Sequence, residues 1–179
     1  VEYVNLILCG FPKCGKSTVG KELAALLQWE FIDTDEKIEN AYFAATAEKK
    51  TCRDIYLDDG EEAFRYLEKF IINDLKHVKK TVIAIGGGSL NDPENVTFLR
   101  QIGKCIFLKT DESVLLKRLL ENQVPAYLDP NDTEASAKRL FFERSSLYHD
   151  ACDLVVEADS HSESEIAQLI ADKIHIGHV

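Results

Sequence analysis

The stretch Gly10 to Ser17 reads GFPKCGKS and fits the pattern G-x-x-x-x-G-K-[ST]. An apolar run, Val4 to Leu8 (VNLIL), stands before it. After it, Val19, Leu23, Leu26 and Leu27 recur at i, i+4, i+7 and i+8, which predicts a helix from about Lys16 to Leu27 with one apolar stripe. Strand, glycine-bearing loop and helix in that order form the context in which this pattern binds phosphate. Backbone N–H groups of the loop face the anion, and the helix N-terminus adds a favourable field. The residues expected to hold a nucleotide are Gly10, Lys13, Cys14, Gly15, Lys16, Ser17 and Thr18. Lys16 is expected to reach the β- and γ-phosphates, and the Ser17 hydroxyl to bind Mg²⁺.

Outward from this loop, short apolar runs alternate with helical stretches. Glu30 to Asp33, Thr81 to Ile85, Lys104 to Leu108 and Leu154 to Glu157 read as further strands, several of them apolar throughout, as buried parallel strands are. Helices are expected near 35–43, 60–77, 93–101, 111–120, 133–148 and 162–174. The alternation predicts one α/β domain over 1–179, a five-stranded parallel sheet with helices on both faces. One stretch stands apart. Glu121 to Ala137 is polar, carries two prolines and interrupts two helical patterns, so 121–137 is expected to be a mobile lid.

The chain has 179 residues, 45% of them hydrophobic, enough for a buried core. Its 21 basic against 31 acidic residues give a net charge of −10, which offers no basic stripe for a phosphate backbone and argues against nucleic acid as a partner. No apolar run approaches the roughly 18 residues of a membrane span, and the opening VEYVNLILCGF lacks the pattern of an export signal. A cytoplasmic monomer acting on a small molecule is expected. The five cysteines, Cys9, Cys14, Cys52, Cys105 and Cys152, are odd in number, scattered and without a CxxC pair, so they suggest core thiols in a reducing compartment.

A phosphate loop does not say what receives the phosphate. Asp33 and Asp35 end the second strand, and a spacing of two in an extended segment puts both carboxylates on one side. Ligands of open parallel sheets bind beyond the carboxyl ends of the strands, so both acids are expected to face the loop. One would hold Mg²⁺ and the other take a proton or hydrogen bond from an acceptor hydroxyl; capping of the next helix is the other role open to them. In DGEEAFR, residues 59–65, Arg65 precedes Glu68 by three and shares its helical face, so the carboxylate can aim a planar cationic fork at an anionic substrate. Gly86, Gly87 and Gly88 follow the third strand, where missing side chains permit close backbone approach to a ligand.

At this combination the chain resembles the shikimate kinases, of the nucleoside-monophosphate-kinase-like P-loop superfamily. GFPKCGKST, FIDTD, DGEEAFR, IAIGGGS and ERSSLY stand in that family's order and approximate spacing across nearly the whole chain. The resemblance implies transfer of the γ-phosphoryl group of MgATP to the 3-hydroxyl of shikimate, in aromatic amino-acid biosynthesis. It also implies that Ser17 and Asp33 serve Mg²⁺, that Asp35 contacts the acceptor hydroxyls, and that Arg65 with Arg144 binds the shikimate carboxylate. Gly87 would supply a backbone contact, Tyr56 and Phe64 would lie beside the ring, and Arg118 or Lys117 would flank the adenine.

The family's lid usually carries an arginine in Arg-Pro-Leu-Leu, whereas the corresponding stretch here is Val124, Pro125, Ala126, Tyr127, and 121–137 contains no Lys or Arg. Lys13, in turn, occupies a position that is often glycine in the family. A cation gained in the loop and one lost from the lid suggest that Lys13 takes a catalytic part beside Lys16 and Asp35. Two other functions fit the same motifs less fully: a kinase of gluconate type, and a nucleotide-binding module without turnover. DGEEAFR and ERSSLY favour shikimate over the first. Retention of Asp33, Asp35, Arg65 and Arg144 argues against the second.

Overall fold

In the computed structural model, which describes residues 5–176, β1 (Asn5–Cys9) is buried at every position. It is the central strand of a parallel sheet whose other members are β2 (Glu30–Asp33), β3 (Thr81–Ala84), β4 (Lys104–Lys109) and β5 (Leu154–Glu157), in the order β2-β3-β1-β4-β5. Val4, placed in this strand by the sequence reading, lies outside the described residues. A polar residue opens β1 because its hydrogen bonds are met. Asn5 donates to the carbonyls of Val78 at 3.0 Å and Ile102 at 2.8 Å and accepts from the Thr81 amide at 3.2 Å, which pins three connections at the sheet's lower edge. In register, Asp33 lies beside Ala84 and Ala84 beside Leu8, so the acid ending β2 stands level with the exit of β1 into the phosphate loop.

Helices cover both faces. α1 (Lys16–Leu27) lies across β1, β2 and β3 and against α8 (Glu163–Ile176). Its buried side is Val19, Gly20, Leu23 and Ala24; the expected stripe is rotated, because Phe31 packs where a Gly20 side chain would stand and Leu26 is left 50% exposed. The other helices are α2 (Thr34–Thr46), α3 (Cys52–Asp59), α4 (Glu61–Asp74), α5 (Pro93–Ile102), α6 (Glu112–Glu121) and α7 (Thr133–Ala151). The stretch expected as one helix near 60–77 is α4 followed by a single 3₁₀ turn, Leu75–His77. α3 was not expected. It starts on a reciprocal cap between Thr51 and Asp54, and buries Ile55 in a small second core with Ile38, Phe64 and Ile71. This core, built from α2, α3 and α4, sits apart from the main core around the sheet.

Two sequence expectations are corrected here. Thr34 already begins α2, so Asp35 belongs to a helix's first turn and not to an extended segment. The segment 121–137 is not one loop, since Glu121 closes α6 and α7 begins at Thr133, leaving 122–132 as the irregular part. The five cysteines are free. Scattered in sequence, Cys9 and Cys152 nonetheless meet, sulfur to sulfur, at 2.8 Å. Burial raises the Cys9 thiol's pKa first, helped by Cys152, which keeps it protonated and inert. Among the described residues, no helix is long and apolar enough to cross a membrane.

Candidate active site

The loop between β1 and α1 is anchored by Phe11, whose ring meets Phe141 and Tyr148 edge-on with centroids 4.9 Å away in each case. Gly15, at φ 93, caps α1 without any side-chain hydrogen bond, so the first-turn amides remain available to an anion. Lys16 curls back over the loop, its Nζ donating to the carbonyls of Gly10 at 3.0 Å and Phe11 at 2.8 Å. Lys13 is exposed and sits at φ 66, a left-handed conformation that a residue with a side chain adopts at a cost. Arg118 of α6 braces that turn, donating from Nη1 to the Lys13 carbonyl at 2.9 Å.

Three cavities meet around this loop. One of about 320 Å³ is lined by Lys13, the run from Gly15 to Thr18, Asp33 and Asp35. A second, about 310 Å³, lies beyond Lys13, Cys14 and Gly15 and is walled by Arg118, Thr110, Asn122, Ala158 and His161. The expected phosphate and base contacts thus fall into adjoining spaces. Thr110, Asn122 and His161 carried no signal in the sequence, since they come from three separate connections. The third cavity, about 130 Å³, is bounded by Pro12, Asp35, Cys52, Arg53, Tyr56, Phe64, Arg65, Glu68, Gly87 and Gly88, with Pro125, Ala126 and Tyr127 above.

Asp33 serves two purposes with its two oxygens. Oδ1 accepts from the Asp35 amide at 3.0 Å as the cap of α2, and Oδ2 accepts from the Ser17 hydroxyl at 2.6 Å. Capping and metal binding, posed as alternatives by the sequence, are compatible. Asp35 borders both the phosphate-side cavity and the third one. Its carboxylate keeps a face open to solvent through these mouths while protein crowds the other sides. That crowding first, and then the Asp33 charge, raises its pKa to about 6 against the pull of Lys16, with Glu68 and Glu39 adding to the rise. The neighbouring Cys52 thiol, driven well up by burial and then by Asp35, Glu39 and Glu68, stays protonated and donates to the Asp35 carbonyl at 3.5 Å.

On the far wall, Arg65 donates to Glu68 at 2.8 Å, and the other oxygen of Glu68 accepts from Ser89 at 2.7 Å. The guanidinium lies flat on Gly88, where an added Cβ would come within 2.5 Å of Nη2. At Gly87 an added Cβ would come within 2.9 Å of Pro12 and 3.2 Å of Arg144 Nη1, and the Gly87 carbonyl accepts from the Tyr148 hydroxyl. The glycine run is therefore required by its neighbours. Arg144 is 3% exposed, and its Nε and Nη1 have no hydrogen-bond partner among the described residues. It does not itself line the third cavity, because the Tyr127 ring covers the guanidinium at 4.8 Å. Tyr56 and Phe64 meet edge-on at 5.8 Å and wall the cavity.

Residues 12–175 match the family model described as shikimate kinase. The chain is 35% identical over 164 residues to the shikimate kinase of Caldanaerobacter subterraneus subsp. tengcongensis, covering 92% of each. Among solved structures it superposes on shikimate kinase from Acinetobacter baumannii in complex with shikimate with a TM-score of 0.89 at 30% identity, covering 98% of this chain and 95% of that one. Against shikimate kinase from Aquifex aeolicus the TM-score is 0.82 at 28% identity, with 98% of both chains covered.

Proposed function

The chain belongs to the shikimate kinase family, and on that premise we propose how its residues move the γ-phosphoryl group of ATP to the 3-hydroxyl of shikimate. One observation carries the reading: of the acids lining the three cavities, Asp35 alone borders both the phosphate-side space and the space walled by the arginines. A carboxylate there faces donor and acceptor together. With a pKa near 6 it is ionised at neutral pH yet close enough to that value to take a hydroxyl proton.

The acceptor's charge is read on the opposite wall. Arg65, aimed by Glu68, presents a planar fork suited to a carboxylate. Arg144 adds two buried donors, and a buried cation with unpaired N–H groups is costly until an anion completes it. The Tyr127 ring stands between them and the cavity, so a carboxylate reaches them once that ring moves aside. Tyr56 and Phe64 supply apolar walls for a six-membered ring, and Gly87 allows it close to the backbone.

On the donor side, Lys16 exchanges its two carbonyl contacts for phosphate oxygens, and the α1 amides add their field. Arg118 flanks the base cavity. Ser17 and Asp33 offer a hydroxyl and a carboxylate, the hard oxygen donors that Mg²⁺ takes beside phosphate, where it would neutralise charge on the transferred group. Two protein oxygens leave the rest of an octahedral shell to water and to the nucleotide's phosphates, as Mg²⁺ is usually held. Lys13 borders both the phosphate-side and base-side cavities and is positioned to add positive charge there. The segment 122–132 closes over the acceptor, excluding water. The reading extends to a cytoplasmic monomer without nucleic-acid partners; the free thiols support a reducing compartment, and the net charge of −10 disfavours a phosphate backbone as partner.

ADP release measured with shikimate, quinate and gluconate tests this. Release that depends on shikimate is expected. Equal release with gluconate would reassign the acceptor, and ATP binding without acceptor-dependent release would make the protein a nucleotide-binding module.

A further inference from the structure

The irregular segment 122–132 carries no Lys or Arg, yet it lies against the acceptor cavity. Three of its ties to the rest of the chain bear on that cavity. Leu128 enters the main core, and its amide closes a turn on the Pro125 carbonyl at 3.2 Å. Tyr127 meets the Tyr56 ring at 6.2 Å and covers Arg144. The Val124 carbonyl accepts from Arg53 Nε at 2.9 Å, across 71 residues of chain.

Arg53 and Tyr56 both belong to α3, whose start is fixed by the Thr51 and Asp54 cap and whose Ile55 is locked into the small core with Phe64. α3 is therefore a rigid part of the acceptor-binding unit. Arg53 also borders the acceptor cavity itself, and among the described residues it makes no ion pair. One half-buried guanidinium thus touches the acceptor space and grips the segment above it. A charge-assisted bond to a backbone carbonyl is stronger than a neutral one and does not depend on which side chain stands at 124.

We infer that Arg53 is a positioning residue that latches Val124 to Tyr127 over the acceptor cavity, so that a segment without cations is closed by a cation delivered from the acceptor-binding helix. This rests on the reading of that cavity as the acceptor site. Rigid α3 then holds the latch in place over an occupied cavity, and the closed segment keeps water from the donor phosphate. Without the latch, the donor site is intact but closure is loose, so hydrolysis competes with transfer.

The test compares wild type with Arg53→Ala and Arg53→Lys in amide exchange and steady-state kinetics. In the ligand-free protein, amides within 122–128 should exchange at least about tenfold faster in Arg53→Ala, while those of β1 and β4 keep wild-type rates and so report an intact fold. With both substrates, KM for shikimate should rise about tenfold, ATP affinity should hold, and ADP released per acceptor phosphorylated should climb above wild type. Arg53→Lys, which keeps a donor but loses the fork, should recover part of each effect. Wild-type exchange in 122–128 for Arg53→Ala would overturn the latch, as would a uniform loss of protection across the sheet with ATP and shikimate affinities falling together. Because the exchange arm needs no substrate, it judges the latch even if wild type fails to phosphorylate shikimate, a result that would instead defeat the functional reading.

Discussion

Arg65 and Glu68, one turn apart on α4, are joined at 2.8 Å with the carboxylate almost wholly buried and the guanidinium a quarter exposed. The asymmetry has a purpose. Glu68 is held from behind by Ser89, so the pair is anchored in protein at its acidic end and presents its basic end to the acceptor cavity.

Glu68→Gln keeps the volume and removes the charge that fixes the fork. A charge-assisted bond exceeds a neutral one by roughly 1 kcal/mol. KM for shikimate should therefore rise about fivefold, with KM for ATP unchanged. Equal increases for both substrates would show that Glu68 holds the fold and not the fork.

Asp35 sets the pH dependence. Its carboxyl titrates near 6 when folded, against the ordinary 3.8, so kcat/KM for shikimate should rise with an acid limb centred at about 6, or somewhat lower because the open face screens the Asp33 charge. The sign for stability follows from proton binding. The folded state binds this proton more tightly than the unfolded chain, so Asp35's stabilising contribution is complete below 3.8 and lost as pH rises through about 6. Asp35→Asn should accordingly have a higher Tm than wild type at pH 7 and no advantage at pH 4, while losing its acid limb and most of its kcat. A Tm difference that is the same at both pH values would separate Asp35 from the titration.

Asp33 divides its oxygens between the α2 cap and Ser17. Asn caps helices about as well as Asp but is a poor ligand for a hard dication. Asp33→Asn should keep the wild-type Tm and need at least about tenfold more Mg²⁺ for half-maximal rate, whereas Asp33→Ala should lose stability as well, by about 1 kcal/mol. Chelation by EDTA should silence the wild-type enzyme and excess Mg²⁺ restore it.

How much of this was legible beforehand depended on the range of the interaction. The phosphate loop, Asp33, Arg65 with Glu68, and the glycine run are each local signals, a few residues whose spacing fixes their geometry. β1, β3 and β4 were readable because continuous apolar runs have one place to go, and β2 and β5 from their short apolar centres in the alternation with helices. α3 was missed because eight residues ending in two aspartates show little periodicity, although the Thr51 and Asp54 cap was visible in the sequence. Arg144 behind Tyr127, and Arg53 on Val124, join segments far apart in the chain and needed the fold to bring them together.

Lys13 combines a strained backbone with a cation at the mouth of two cavities. At φ 66 it occupies the left-handed region, which costs a side-chain-bearing residue about 1–2 kcal/mol, partly offset in comparisons with glycine by glycine's greater unfolded-state entropy. Lys13→Gly should therefore raise Tm by a few degrees, since about 1 kcal/mol is released in a domain of this size. If the ammonium stabilises charge on the transferred group, the same change should lower kcat and kcat/KM together by at least about tenfold, roughly 1.4 kcal/mol, with ATP affinity little altered. The opposite signs matter, because a variant that is more stable and slower cannot owe its lost rate to a damaged loop. Lys13→Asn supplies the control, since Asn tolerates the left-handed conformation better than Lys and also removes the charge. It should match the glycine variant in rate while recovering less of the stability. A Lys13→Gly enzyme that gains stability at wild-type kcat would leave the strain without a catalytic return and remove Lys13 from the mechanism.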